Sequence, residues 1–133
     1  MKILALDVGT KRVGYAVSDS DQTMAFPRGV LARRPEANLL DFLQKFVHEE
    51  GIAKIVVGLP LDRDNEDTPY STIVKKFGEN LAAALKLPVF YVDEFGSSDE
   101  ALSKIPFRKD RRAKGGRDAI AAQIILERYL EAM

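Results

Sequence analysis

Four carboxylates and one basic stretch are the residues of this chain that could do chemistry. Asp7 ends the apolar run Ile3-Leu4-Ala5-Leu6 and is followed by Val8-Gly9-Thr10-Lys11-Arg12. Asp93 and Glu94 end the run Val89-Phe90-Tyr91-Val92, and Asp118 opens the apolar-periodic C-terminal segment. Phe107-Arg108-Lys109-Asp110-Arg111-Arg112-Ala113-Lys114-Gly115-Gly116-Arg117 is dense in Arg and Lys. An isolated buried carboxylate is costly. Asp7 therefore sits at an accessible strand end, is paired, or caps its own turn. Asp93-Glu94 falls at the C-terminal end of a strand that follows a helix, the edge where open α/β sheets bind ligands. Asp118 can serve as a helix cap or first-turn acid. Its helical neighbours Ala122, Ile125 and Tyr129 are apolar, however, which turns it toward the sheet. Carboxylates brought together repel unless a dication lies among them. Oxygen ligands favour Mg²⁺ or Mn²⁺, and with no Cys and one His there is no case for Zn²⁺. Such an ion beside an Arg/Lys loop suits phosphodiester hydrolysis: it activates water and stabilises the leaving oxygen, while the loop holds flanking phosphates. Spacing alone leaves open whether the acids converge.

The elements that must position these residues can be read from periodicity. Ile3 to Val8 and Val13 to Ser18 form two strands across a tight Gly-containing turn. Both faces of the first strand are apolar up to Asp7, as expected of a central strand. Asp19-Ser20-Asp21-Gln22 is a turn, and Gly29-Val30-Leu31-Ala32 a third strand with Pro27 near its start or on an edge. Pro35 opens a helix carrying Leu39, Leu40, Phe42, Leu43, Phe46 and Val47, with Gly51 as its stop. His48, in the last turn, is read as structural or solvated. Ile52 to Gly58 is a buried strand parallel to the first. Residues 62–67 are a charged loop without a calcium-loop pattern. Thr68-Pro69 starts a helix that runs to about Lys86, and a fifth strand follows at 89–92. A short helix over Ala101, Leu102 and Ile105 precedes the basic loop, and the final helix begins near Arg117. The pattern β-β-β-α-β-α-β-α-α implies a mixed five-stranded sheet with helices on it. Short right-handed crossovers set the first strand beside the two later ones.

The whole chain narrows the class. Its 133 residues fit one domain spanning 1–133 with room for a core. Lys plus Arg and Asp plus Glu are 20 each, so any nucleic-acid surface must come from local clustering. The absence of cysteine excludes disulfides and thiol chemistry and fits a cytoplasmic location. No segment reads as a signal peptide or a membrane span.

The residues Leu6-Asp7-Val8-Gly9-Thr10-Lys11-Arg12-Val13-Gly14, Val56-Val57-Gly58-Leu59-Pro60, Asp93-Glu94 with Ser97-Ser98, and Asp118-Ala119-Ile120-Ala121-Ala122 running into Ile124-Ile125-Leu126 occur in an order that resembles the YqgF family. These are small proteins related to the Holliday-junction resolvases. The resemblance spans nearly the full length. It implies a ribonuclease-H-like α/β fold, a central mixed five-stranded sheet with helices on both faces, and Asp7, Glu94 and Asp118 as catalytic acids that bind Mg²⁺ or Mn²⁺. It also implies a nuclease trimming the 5′ end of pre-16S rRNA during ribosome maturation. On this reading Asp93 either supports the ligands from behind or is an alternative ligand. Thr10 and Lys11 contact the scissile phosphate, and Lys109, Arg111 and Arg112 grip the flanking backbone. The family pattern has an arginine after the acid pair where this chain has Phe95, which either weakens the site or passes that task to Arg108, Arg111 or Arg112. Phe95 itself either packs or stacks on an unpaired base.

Three rival readings remain. The Asp7-Val8-Gly9-Thr10 turn also resembles a phosphate motif of the actin-like ATPases, which need a second such domain that this chain lacks. A non-catalytic RNA- or ribosome-binding module of the same fold is favoured by Phe95 and opposed by the three acids. A Holliday-junction resolvase acting on four-way DNA would need a dimer, whereas structured RNA, alone or in a pre-ribosomal particle, needs only a monomer or weak dimer.

Overall fold

The computed structural model describes residues 1–60, 68–93 and 116–133, without the side chains of 116 and 117. Strands β1 (Lys2–Val8), β2 (Arg12–Ser18) and β3 (Ala25–Ala32) are followed by helix α1 (Glu36–Glu50), β4 (Ile52–Leu59), α2 (Pro69–Leu85), β5 (Val89–Asp93) and α3 (Gly116–Ala132). The sheet order is β3-β2-β1-β4-β5. β1, β2 and β3 form an antiparallel meander, and β4 and β5 run parallel to β1.

β1 lies at the centre because both of its faces are apolar. Leu4, Leu6 and Val8 join Leu39, Leu43 and Phe46 of α1 and Val74, Phe77, Leu81 and Leu85 of α2 in the larger core. Ile3 and Ala5 pack on the opposite face with Ala122, Ile125 and Leu126 of α3. This division follows from crossover handedness. The connections β3-α1-β4 and β4-α2-β5 both step the same way along the sheet, so right-handed crossovers place α1 and α2 on one face. The other face is left to α3.

Local signals explain the ends. Gly51 closes α1 at φ 68°, in the left-handed region that glycine adopts without steric cost. Thr68 caps α2: its Oγ1 accepts from the Ser71 N–H while the Thr68 N–H donates to Ser71 Oγ. Pro69 occupies the first turn, as expected. Pro35 sits one position earlier than a first-turn proline, as the cap residue of α1.

β3 is longer than the expected 29–32. It begins at Ala25 opposite Ser18, with Pro27 opposite Ala16 beside a bulge. As an edge strand it tolerates proline, and its exposed Phe26, Pro27 and Arg28 carry no inward alternation for a sequence reading to detect. The charged loop 62–67 and the helix expected around Ala101, Leu102 and Ile105 lie outside the described residues.

Candidate active site

The site is built where β1, the β1–β2 turn and the first turn of α3 meet. Asp7 follows Ile3 and Ala5 in the alternation that faces α3, and it is half-buried. Directly opposite on β2 is Gly14. A Cβ built on Gly14 would lie 2.1 Å from the Asp118 carbonyl oxygen and 3.0 Å from Asp118 Cβ. Residues opposite one another in an antiparallel pair share a face. The missing side chain at Gly14 therefore lets α3 settle on β2 with Asp118 on the face to which Asp7 belongs. The structure thus brings Asp7 and Asp118 to one side of one strand pair.

The turn contributes the next groups. The Gly9 N–H donates to the Arg12 carbonyl at 2.7 Å, closing a tight connection. Thr10 and Lys11 at its tip are exposed. Arg12 reaches back so that its Nε donates to Asp118 Oδ2 at 3.0 Å. Gly9, Thr10, Lys11, Arg12 and Asp118 line an open pocket of about 350 Å³. The two turn residues expected to touch phosphate and one of the expected acids thus border a single cavity.

At the far side, β5 pairs Leu59 with Asp93, its last residue. Val92 packs on the α3 side and Phe90 meets Tyr129 of α3 with ring centroids 6.0 Å apart. By alternation Asp93 belongs to the opposite face, away from Asp7 and Asp118. Its carbonyl accepts from Arg128 Nη1 at 2.9 Å, which ties the strand end to α3. Glu94, next in the chain, lies outside the described residues, as do Phe95, Arg108, Lys109, Arg111 and Arg112. Among the described residues no three acidic or histidine side chains cluster closely enough to hold a metal ion. The described donors are two carboxylates, the hard oxygen type that Mg²⁺ and Mn²⁺ take. Asp7 and Asp118 share a face, and the Arg12 guanidinium sits against the second of them.

Four contributors were not singled out from sequence. Gly14 had a readable signal, since a glycine inside a strand marks a close approach. Arg12 stood in the motif without an assigned partner. Arg33 and Tyr70 had no local signal at all. Arg33 Nη1 donates to the Gly9 carbonyl at 2.9 Å and to Tyr70 Oη at 3.1 Å, and Tyr70 Oη donates to the Val8 carbonyl at 2.9 Å. These are contacts between residues far apart in the chain.

Comparison with known proteins agrees with this architecture. The family model described as "RuvX: Holliday junction resolvase" matches residues 1–132. A protein of Maridesulfovibrio salexigens named "Putative pre-16S rRNA nuclease" is 41% identical, with 98% of each chain covered. One of the same name from Bacteroides fragilis is 38% identical over 98% of this chain and 96% of its own. Among solved structures, T. thermophilus RuvC in complex with a Holliday junction substrate superposes with a TM-score of 0.62 at 16% identity, covering 99% of this chain and 95% of that one. Fowlpox virus resolvase with its junction DNA gives 0.58 at 13% identity, covering 99% and 98%. These two show the same ribonuclease-H-like fold. With its carboxylates, turn and sheet order in the arrangement described, and with the family model matched from residue 1 to residue 132, the chain belongs to the RuvX family.

Proposed function

We propose that this protein is a metal-dependent endonuclease that hydrolyses phosphodiester bonds, with the 5′ end of pre-16S rRNA as its substrate in ribosome maturation. The observation that carries the reading is the placement of Asp7 and Asp118 on one face across Gly14, beside a pocket lined by Thr10 and Lys11. The names of relatives at 38–41% identity over nearly the whole chain support the RNA substrate.

In this proposal Asp7, Glu94 and Asp118 hold Mg²⁺ or Mn²⁺, and Asp93 is set aside because it alternates to the other face. The bound ion would supply an activated water and charge stabilisation at the leaving oxygen. Thr10 and Lys11 fix the scissile phosphate from the turn, and Lys109, Arg111 and Arg112 hold the phosphates on either side. The setting is the cytoplasm, on free precursor RNA or a pre-ribosomal particle, with the protein acting as a monomer or weak dimer.

A second reading, resolution of four-way DNA, is favoured by the description of the matching family. One assay separates them. End-labelled 5′ leader RNA and a four-way DNA junction are incubated with wild type or Asp7→Asn, in Mn²⁺ or in EDTA. Cutting of the RNA that needs both Mn²⁺ and Asp7 supports the proposal, and cutting of the junction alone moves the substrate to DNA. Binding of RNA without cleavage in Mn²⁺ would make the protein a non-catalytic module.

A further inference from the structure

Beneath the β1–β2 turn lies a buried cation, the Arg33 guanidinium. Arg33 is 8% exposed, and no acidic side chain among the described residues pairs with it. Its guanidinium stacks 5.5 Å from the Phe77 ring centroid, donates to the Gly9 carbonyl at 2.9 Å and donates to Tyr70 Oη at 3.1 Å. Its own backbone N–H donates to the Lys11 carbonyl at 3.0 Å. The hydroxyl of Tyr70, in the first turn of α2, donates to the Val8 carbonyl at 2.9 Å. The carbonyls of Val8 at the end of β1 and of Gly9 and Lys11 in the turn are therefore held by two side chains and one N–H. Placing an arginine in this position costs desolvation, and hydrophobic packing alone would have filled the space more cheaply. The guanidinium can offer several donors in a fixed plane to backbone carbonyls, which a hydrocarbon cannot.

We infer that Arg33 and Tyr70 are positioning residues: they lock the Gly9–Arg12 turn from α2 and the end of β3, so that Thr10 and Lys11 meet phosphate in a fixed geometry. The inference rests on the nuclease reading for its consequence, and on the clamp geometry for its structure. Both side chains direct their polar atoms to the backbone at the turn and to each other. Their effect passes through the turn, where a displacement of about 1 Å costs on the order of a hundredfold in rate.

Tyr70→Phe is the sharpest variant, since it removes one oxygen and keeps the ring, and Arg33→Met is the second. Both are measured at a temperature where urea titration shows them fully folded. Amide hydrogen exchange at 9–12 should speed up by roughly 3- to 10-fold, the worth of one net hydrogen bond, while β4 exchanges as in wild type. On leader RNA, kcat should fall about 10- to 100-fold with KM nearly unchanged. In a Thr10→Ala/Lys11→Ala background, Tyr70→Phe should cost little more, because the groups it positions are gone. Wild-type exchange at 9–12 in both variants would overturn the clamp. Loosened exchange with a fully additive cycle would make Arg33 and Tyr70 merely structural and overturn the positioning role. If wild type cuts neither nucleic acid, the nuclease reading falls, and the exchange result still decides whether the clamp holds the turn.

Discussion

Gly14 pairs with Asp7 across the β1–β2 ladder and lies against the first turn of α3 at Asp118. An added methyl would collide with the backbone of Asp118, so the first turn of α3 would have to lift off β2. Gly14→Ala should destabilise by about 1–3 kcal/mol and cut activity further than that loss explains, read by urea midpoint and cleavage rate at full folding. Arg12 makes a second residue-scale case. Its ion pair with Asp118 is largely exposed, so its effect on stability is small. Its charge is nonetheless fixed beside a proposed ion ligand. Arg12→Gln should therefore tighten Mn²⁺ binding by roughly 2- to 5-fold, a surface-pair energy expressed as affinity. Calorimetric titration reads this directly. Weaker Mn²⁺ binding in the variant would mean that Arg12 instead orients Asp118 for the ion.

Elements differ in how openly their sequences announced them. The caps Gly51 and Thr68-Pro69 and the two-sided apolar run of β1 were legible because each signal is local. β3 was only half legible, since the exposed stretch Phe26, Pro27 and Arg28 on this edge strand shows no alternation. The Arg33–Tyr70 clamp was illegible because it joins the end of β3 to the start of α2 through side chains 37 residues apart. The β2–β3 connection shows a third situation, in which a turn cluster was recognised but its chemistry was hidden. Asp19 accepts from the Met24 N–H at 3.0 Å and from the Thr23 N–H and Oγ1, each at 2.7 Å. Those bonds, the Met24 N–H foremost, hold its carboxyl at about 2, below the ordinary 3.8. The folded state thus binds this proton less readily than the unfolded one. The contribution of Asp19 is complete above pH 3.8 and is lost as pH falls toward about 2. Asp19→Asn should show a flatter loss of stability across that window than wild type, measured by urea titration at several pH values.

At the scale of the whole molecule, a balanced charge and a two-sided core give a neutral scaffold, with the proposed site at one end of the central strand. Among the described residues no helix is long and apolar enough to cross a membrane. The sheet order and the placement of α3 were both legible, because crossover handedness and the apolar face after Asp118 admit few alternatives. Whether Glu94 and the basic residues Lys109, Arg111 and Arg112 complete the site falls outside the described residues, and sequence supplies that part of the proposal. The most direct test of the central claim is Mn²⁺ titration, followed by calorimetry, of wild type, Asp7→Asn and Asp118→Asn, each first shown to be folded. The account predicts that wild type binds the ion and that each single substitution weakens binding at least about tenfold, the loss of one carboxylate ligand. Undiminished binding in Asp118→Asn would contradict it, because the acids on the two sides of Gly14 would then not be serving one site.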